Sequence, residues 1–263
     1  MNNVAAFGMY DWPEFREETD KLYDLIREEA SAFNLPLPDQ LTRDQTMMDI
    51  WTSPDMLISQ TCGLPYTRHL EGKVTLLGSP IYDNGCQPGF YNSVIIVSKD
   101  AKDMDLSQMR SKSFCANGTD SQSGYAAMQD HFLQAGLPPL LPKDIKISGS
   151  HRNSIKMVAN NDADYACIDV VSWLLAQQVE EDANKVKIFD KTREMPSLPF
   201  ISSIRDEEQV EKLRQALKNA ILRFKNFRGK SLFLTGFICQ TEKNYEQIKT
   251  SYKAIQDALE ANG

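Results

Sequence analysis

Hydrophobic and polar positions along the chain follow two periods, and the periods alternate. Short apolar runs predict buried strands at residues 3–10, 55–59, 74–78, 90–97, 113–116, 146–148, 163–169 and 186–189. Apolar residues spaced three or four apart predict helices at residues 13–33, 47–51, 125–133, 155–159, 170–178, 207–224 and 245–259. Strands that alternate with helices in this way predict an α/β fold with mainly parallel sheets.

One strand-to-helix junction carries more polar chemistry than the others. The strand predicted at residues 113–116 is broken by Asn117 and Gly118, and the next helix is predicted to begin at Tyr125. Between them lie three hydroxyl side chains and a glycine: Thr119, Ser121, Ser123 and Gly124. Free backbone N–H groups and the dipole at a helix start favour an anion there. The alternative is that the serine and threonine side chains simply cap the helix.

Length and charge narrow the possible functions. With 263 residues the chain is long for a single core, so two lobes of ordinary domain size are expected. A net charge of −7 argues against nucleic acid, which requires a basic face. It does not argue against a small anion, because local amides outweigh distant charges at short range.

The five cysteines are far apart and have no metal-ligand spacing, so no zinc site is expected. Cys115 and Cys167 lie in apolar runs and are expected to be buried core thiols. Cys62 and Cys86 lie in glycine-containing loops, and they form the only disulfide pair that we consider. All five thiols are expected to be free in a cytoplasmic protein.

The sequence offers two expectations for localisation. No apolar run reaches the length of a membrane span, and the first residues carry no secretory signal. Either a signal peptide has been removed from a periplasmic protein, or the protein is cytoplasmic.

Five separated segments match one family in order and in approximate spacing. They are Gln60–Gly63, Tyr91–Ile95, Ser121–Gly124, Gly149–His151, and Ala163-Asp164 with Ile168-Asp169. Over residues 3–237 the sequence resembles the phosphate/phosphite/phosphonate-binding proteins of ABC importers, a branch of the type 2 periplasmic binding proteins. The resemblance implies two α/β lobes, two mainly parallel sheets and a hinge of two crossing strands, with a ligand held between the lobes. Lobe 1 would comprise residues 1–93 and 196–263, and lobe 2 residues 94–195.

The resemblance also implies a set of ligand contacts. Hydroxyls and amides of the loop would hold the oxyanion, two tyrosines and a histidine would face it, and an acidic residue would meet a ligand amine. The matching or neighbouring positions are Tyr10, Gln60, Tyr91, Thr119, Ser121, Gln122, Ser123, Gly124, His151 and Asp169.

Several of these residues also have a purely structural interpretation. His151 could cap its helix or bond to the backbone, and Asp169 is placed to cap the helix that follows it. Tyr10 and Tyr91 could pack at the hinge, as buried aromatic side chains usually do.

The resemblance implies a monomeric solute-binding protein that captures phosphate, a phosphonate or a related oxyanion for an ABC transporter membrane component. No cofactor, metal or nucleic acid is expected. The first alternative is an enzyme of thiamine- or pyrimidine-related chemistry on the same fold, using Cys62 or Cys86 with His151 as nucleophile and base. The second is a ligand sensor without a transport role.

Overall fold

The computed structural model describes residues 3–262. In this part of the chain nine α-helices are present, and short 3-10 turns precede or follow several of them. The helices are α1 (Arg16–Ala32), α2 (Met47–Thr52), α3 (Gly63–Pro65), α4 (Leu106–Arg110), α5 (Ala127–Gln134), α6 (His151–Ala159), α7 (Val170–Val179), α8 (Glu207–Phe224) and α9 (Glu242–Asn262). Two π-helical turns, Tyr66–Leu70 and Gln122–Ala126, follow α3 and precede α5.

Twelve strands are formed by the described residues. They are β1 (Val4–Ala6), β2 (Met56–Gln60), β3 (Thr75–Tyr82), β4 (Phe90–Tyr91), β5 (Ser93–Ser98), β6 (Phe114–Ala116), β7 (Ile145–Ile147), β8 (Tyr165–Asp169), β9 (Val186–Lys191), β10 (Met195–Pro196), β11 (Phe200–Ser202) and β12 (Leu234–Ile238). Two five-stranded sheets have the orders β1-β2-β11-β3-β12 and β7-β6-β8-β5-β9, while β4 and β10 form a small separate sheet.

The predicted α/β class with two main sheets is confirmed, and each sheet is mixed. The pairs β1–β2, β6–β7 and β6–β8 are parallel. The other pairs of the two five-stranded sheets are antiparallel: β11 with β2 and β3, β12 with β3, and β5 with β8 and β9. The sheets are therefore mixed and not, as was expected, mainly parallel. The antiparallel strands could not be predicted from the sequence, because the pattern of apolar and polar positions does not specify the direction of a strand.

The chain forms two compact units. One runs to Phe90 and resumes over Pro196–Tyr245; the other comprises Tyr91–Met195 and Glu246–Gly263. The predicted lobe boundaries at residues 93 and 195 lie near these crossings, but most of α9, which the prediction assigned to lobe 1, belongs to the second unit. The reason is a tertiary contact: Ser251 Oγ on α9 donates to Asp130 Oδ1 on α5 at 2.8 Å. The amphipathic stripe of α9 predicts burial without naming the surface that buries it.

Asp130 is the centre of a polar network inside the second unit. Its side chain is buried, and Arg193 donates to it from Nε at 2.6 Å and from Nη2 at 3.0 Å. Together with Ser251, these bonds compensate the carboxylate for the loss of water. The network therefore ties α5 to α9 and to the segment that leads into β10.

No helix of the described residues is long and apolar enough to span a bilayer.

The five cysteines are free, with Cys115 and Cys167 buried, Cys62 and Cys86 half-buried, and Cys239 exposed. Burial raises the pKa of Cys115 to about 11 and that of Cys167 to about 12.

The first prediction concerns the Asp130 network. Asp130→Asn should lower the free energy of unfolding by about 1–3 kcal/mol, because the charge-assisted bonds from Arg193 lose their charged acceptor. Urea unfolding measures the change, and Asp257→Asn, at an exposed position of α9, is the matched control. Equal effects of the two substitutions would mean that the network does not hold α5 in place.

The second prediction concerns thiol reactivity. Alkylation of the folded protein without reductant should modify Cys239 first and leave Cys115 and Cys167 unmodified, because burial raises their pKa values and thiolate is the reactive form. In a separate sample that is alkylated only after unfolding, mass spectrometry should find all five cysteines modified. Rapid labelling of Cys115 or Cys167 in the native protein would contradict their placement in the core.

Candidate functional site

The hydroxyl-rich junction of the second unit forms the start of a helix. The π-helical turn Gln122–Ala126 continues directly into α5, so the helical run begins at Gln122 rather than at the predicted Tyr125. Ser123 and Gly124 therefore lie in the first turn and not in the preceding loop. The earlier start follows from Ser121, whose extended backbone and side chain make it the N-cap.

The hydroxyl of Ser121 accepts a hydrogen bond from the Gly124 N–H at 3.0 Å. The capping alternative is thus realised for this serine, although its own O–H remains able to donate. Its carbonyl accepts from the N–H groups of Tyr125 and Ala126 at 3.3 and 3.0 Å. The Ser123 N–H lies in the first turn of the helical run, where no carbonyl of the same helix can accept from it, and it can therefore serve a ligand.

Ser123 and His151 bring two elements of the second unit together. Ser123 Oγ lies 2.9 Å from His151 Nε2, and the serine is buried. His151 is the first residue of α6, but the cap of that helix is Ser150, whose hydroxyl accepts from the Asn153 N–H at 3.1 Å. The histidine is therefore neither a helix cap nor a backbone contact, and its ring extends the hydrogen-bonded group around the loop.

The imidazole of His151 is neutral at physiological pH. Burial lowers its pKa from 6.5 to about 4. A neutral ring carries one N–H and one lone pair, and the direction of the Ser123 bond decides which nitrogen has the proton.

Gly124 shows how tightly the helix start is packed. A Cβ atom at this position would lie 1.8 Å from Asn117 Oδ1 and 3.2 Å from His151 Cε1. A side chain would fit there only if the Asn117 side chain moved, so the present packing favours glycine. Asn117, which sequence analysis treated only as a strand breaker, directly follows β6 and lies against the site; its position at the carboxyl end of a strand was the available signal.

The other predicted contacts of the second unit have different surroundings. The Oδ1 atom of Asp169 accepts from the Ser172 N–H at 2.8 Å and caps α7, as its structural interpretation predicted. Tyr91 on β4 and the side chain of Gln122 are buried, whereas Thr119 is exposed ahead of the cap.

Two predicted contacts, Tyr10 and Gln60, belong to the first unit. The ring of Tyr10 packs edge-on against Tyr82, with centroids 5.6 Å apart. Gln60 is buried at the end of β2, and its Nε2 lies 3.4 Å from the Tyr82 hydroxyl and 3.3 Å from the Leu198 carbonyl. Tyr82 thus contacts both Tyr10 and Gln60, and the three side chains form one cluster.

The loop and its neighbours rely on neutral donors. Residues 117–124 contain one charged side chain, the exposed Asp120, and no lysine or arginine. The nearest basic residue in sequence to His151 is Arg152, which pairs with Glu180. In the part of the chain that the structure describes, no group of three or more His, Cys, Asp or Glu side chains could hold a metal ion.

Several solved structures share this fold. PhnD1 from Prochlorococcus marinus, in complex with methylphosphonate, has a TM-score of 0.73 and 16% identity, covering 97% of this chain and 98% of its own. A binding protein component of an ABC phosphonate transporter from Pseudomonas aeruginosa has a TM-score of 0.72 and 17% identity, and the match covers 100% of this chain and 90% of that protein. XAC2383 from Xanthomonas citri, bound to ATP, has a TM-score of 0.69 and 15% identity, and the match covers 98% of this chain and 100% of that protein. At these identities the likeness shows the fold.

The family is established by sequence. A search of curated proteins found no match. The family model described as "ABC transporter, phosphonate, periplasmic substrate-binding protein" matches residues 56–235, which is more than half of the chain and includes the Ser121 helix start and His151. The chain therefore belongs to the phosphonate-binding family of periplasmic substrate-binding proteins, the solute-binding components of ABC importers.

Proposed function

We propose that this solute-binding protein takes a small tetrahedral oxyanion, either phosphate or a phosphonate, at the start of the Gln122 helix. The observation that carries the proposal is the position of the Ser123 N–H in the first helical turn, where its own helix offers no acceptor, next to two serine hydroxyls and a neutral histidine. The positive end of a helical run of thirteen residues, Gln122 to Gln134, adds favourable potential for an anion.

Neutral donors are sufficient for useful affinity. Hydrogen bonds to a charged group contribute about 1.5–3 kcal/mol each. Four or five such bonds, less the cost of ordering the ligand and the loop, reach the roughly −8 kcal/mol of a micromolar complex. The Ser121 O–H and the Ser123 N–H supply two of these donors, and His151 supplies a third through Nδ1–H when the Ser123 hydroxyl donates to its Nε2.

We propose binding without catalysis. The enzyme alternative needs His151 as a base for Cys62 or Cys86, but the hydrogen bond of the His151 ring is made to Ser123. A base with a pKa of about 4 is also poorly matched to removing a proton from a thiol at neutral pH. The proposal further includes a periplasmic location, a monomeric state and delivery to the membrane component of an ABC importer. Ligand contacts by Tyr10, Gln60, Tyr91, Thr119, Gln122 and Asp169 stay predictions from the resemblance.

The third prediction tests the anion loop. Ser123→Ala should weaken binding at least about tenfold, because His151 loses the hydroxyl that holds its proton on Nδ1, and the double change with Ser121→Ala about a hundredfold, because the Ser121 O–H donor is lost as well. Calorimetric titration with phosphate, methylphosphonate and aminoethylphosphonate measures the affinities. Loss of the cap in Ser121→Ala should also cost about 1 kcal/mol of stability.

The matched control for the third prediction is Thr46→Ala, which removes the side-chain cap of α2 in the first unit. It should lower stability by a similar amount and leave the affinity unchanged. If the double serine variant binds the ligand of the parent equally tightly, the loop is only a cap and the proposed site is wrong.

The fourth prediction uses the depressed pKa of His151. Between about pH 6.5 and pH 4, His151 is protonated in the unfolded chain but not in the folded chain. Because the unfolded state binds more protons in this range, a lower pH reduces the free energy of unfolding. As the pH falls from 7 to 5, the free energy of unfolding should drop more for the parent than for His151→Gln. Parallel pH profiles of the two proteins, from urea unfolding, would contradict a buried neutral imidazole.

A further inference from the structure

Two buried polar atoms beside the anion loop lack hydrogen-bond partners within the described residues. They are Asn117 Oδ1 and His151 Nδ1. Both residues pack against the same side of Gly124, and Asn117 Oδ1 and His151 Cε1 lie within about 5 Å of each other, since they are 1.8 and 3.2 Å from one point. The two unpaired atoms therefore lie close together beside Gly124.

Unpaired polar atoms in the interior destabilise a protein, and an apolar residue of similar size would avoid the cost at position 117. Stability alone does not explain an asparagine there. A polar group that is left unsatisfied next to a binding loop is explained when the ligand completes its hydrogen bonds.

The hydrogen-bond chemistry of the two atoms defines what would complete them. The amide oxygen of Asn117 can only accept. If the Ser123 hydroxyl donates to His151 Nε2, the neutral ring carries its proton on Nδ1 and can only donate there. A single ligand group satisfies both atoms when it is donor and acceptor at once, as the P–OH of a protonated oxyanion is.

We propose that Asn117 and His151 select the protonated form of a tetrahedral oxyanion, an inference that rests on the proposed function. The P–OH donates to Asn117 Oδ1, and its oxygen accepts from His151 Nδ1–H. Because both atoms are covered in this structure, the half-buried Asn117 side chain turns away from Gly124 when the ligand enters. A fully ionised oxyanion such as sulfate has acceptors only and would face the amide oxygen with a lone pair.

Other titratable groups around α6 do not supply this selection. The Cys115 thiol faces the Ser154 carbonyl at 3.8 Å, and burial raises the pKa values of Cys115 and Cys167 to about 11 and about 12. Arg152 and Lys156 on α6 itself pair with Glu180. On the elements packed against α6, Asp169 caps α7 and Lys185 on the turn before β9 pairs with Asp182. On β7 the Lys146 ammonium donates to the Asp162 carbonyl.

The experiment compares methylphosphonate, phosphate and sulfate by calorimetry in two buffers of different ionisation enthalpy. The pH is set well above the second pKa of methylphosphonate, which then has no proton, while hydrogen phosphate keeps its last one. The parent should take up about one proton per methylphosphonate and none per phosphate, and its methylphosphonate affinity should fall about tenfold per pH unit. Sulfate should bind at least about tenfold more weakly than phosphate, because one ligand donor is missing.

Asn117→Leu supplies the variant arm. It should lose the proton uptake and the preference for phosphate over sulfate, while its thermal midpoint without ligand rises because an unpaired buried atom is gone. Asn226→Leu, at an exposed position in the first unit, should keep the values of the parent.

The outcomes separate this inference from the proposed function. If the parent binds methylphosphonate or phosphate without proton uptake and takes sulfate equally well, selection by Asn117 and His151 is overturned and the oxyanion site stands. If the parent binds none of the three, the proposed function fails. Proton uptake is measured on the parent, so the inference is decided even if Asn117→Leu does not fold.

Discussion

The hydrogen bond between the Ser121 hydroxyl and the Gly124 N–H fixes the place at which the helix of the second unit begins. It closes the first turn at Gln122, so that the Ser123 N–H has no acceptor within its own helix and the Ser123 hydroxyl lies within reach of His151. The same turn brings Gly124 against the Asn117 side chain, which would have to move to make room for a Cβ atom. The cap and the proposed anion site are therefore one arrangement of the backbone, since the N–H groups that a cap leaves without an acceptor are the groups that an anion needs.

The site achieves its polarity without a net positive charge. The chain carries a net charge of −7, and the loop contains no basic residue. In the proposed site, donors fixed by a helix start and by a neutral imidazole would hold the anion through directed hydrogen bonds, so its affinity would depend on short-range geometry and little on distant charges. Burial keeps the imidazole neutral, because it lowers the pKa of His151 to about 4.

The sequence predicted the local features well, because they depend on neighbouring residues. The strand before Asn117, the helix after Ser121 and the later part of α6 all follow from apolar spacing and turn residues. The start of α6 was placed too late, because the apolar positions predicted a helix over residues 155–159 and left His151 in the loop before it. The sequence was less accurate where the determinant is tertiary. The helix start was placed three residues late because serine and glycine also favour loops, and α9 was assigned to the wrong unit because its partner Asp130 is far away in sequence. Asn117 was missed because its burial against Gly124 cannot be seen in a linear pattern.

The central claim is that an oxyanion lies at the N–H groups of the Gln122 turn. An NMR titration of the amide-labelled protein with methylphosphonate tests it most directly, because an N–H that gains a charged acceptor shifts strongly. The Ser123 amide proton should move downfield and saturate with the same affinity as calorimetry. Saturable binding that leaves the amide of Ser123 unchanged would place the ligand elsewhere and would contradict the account.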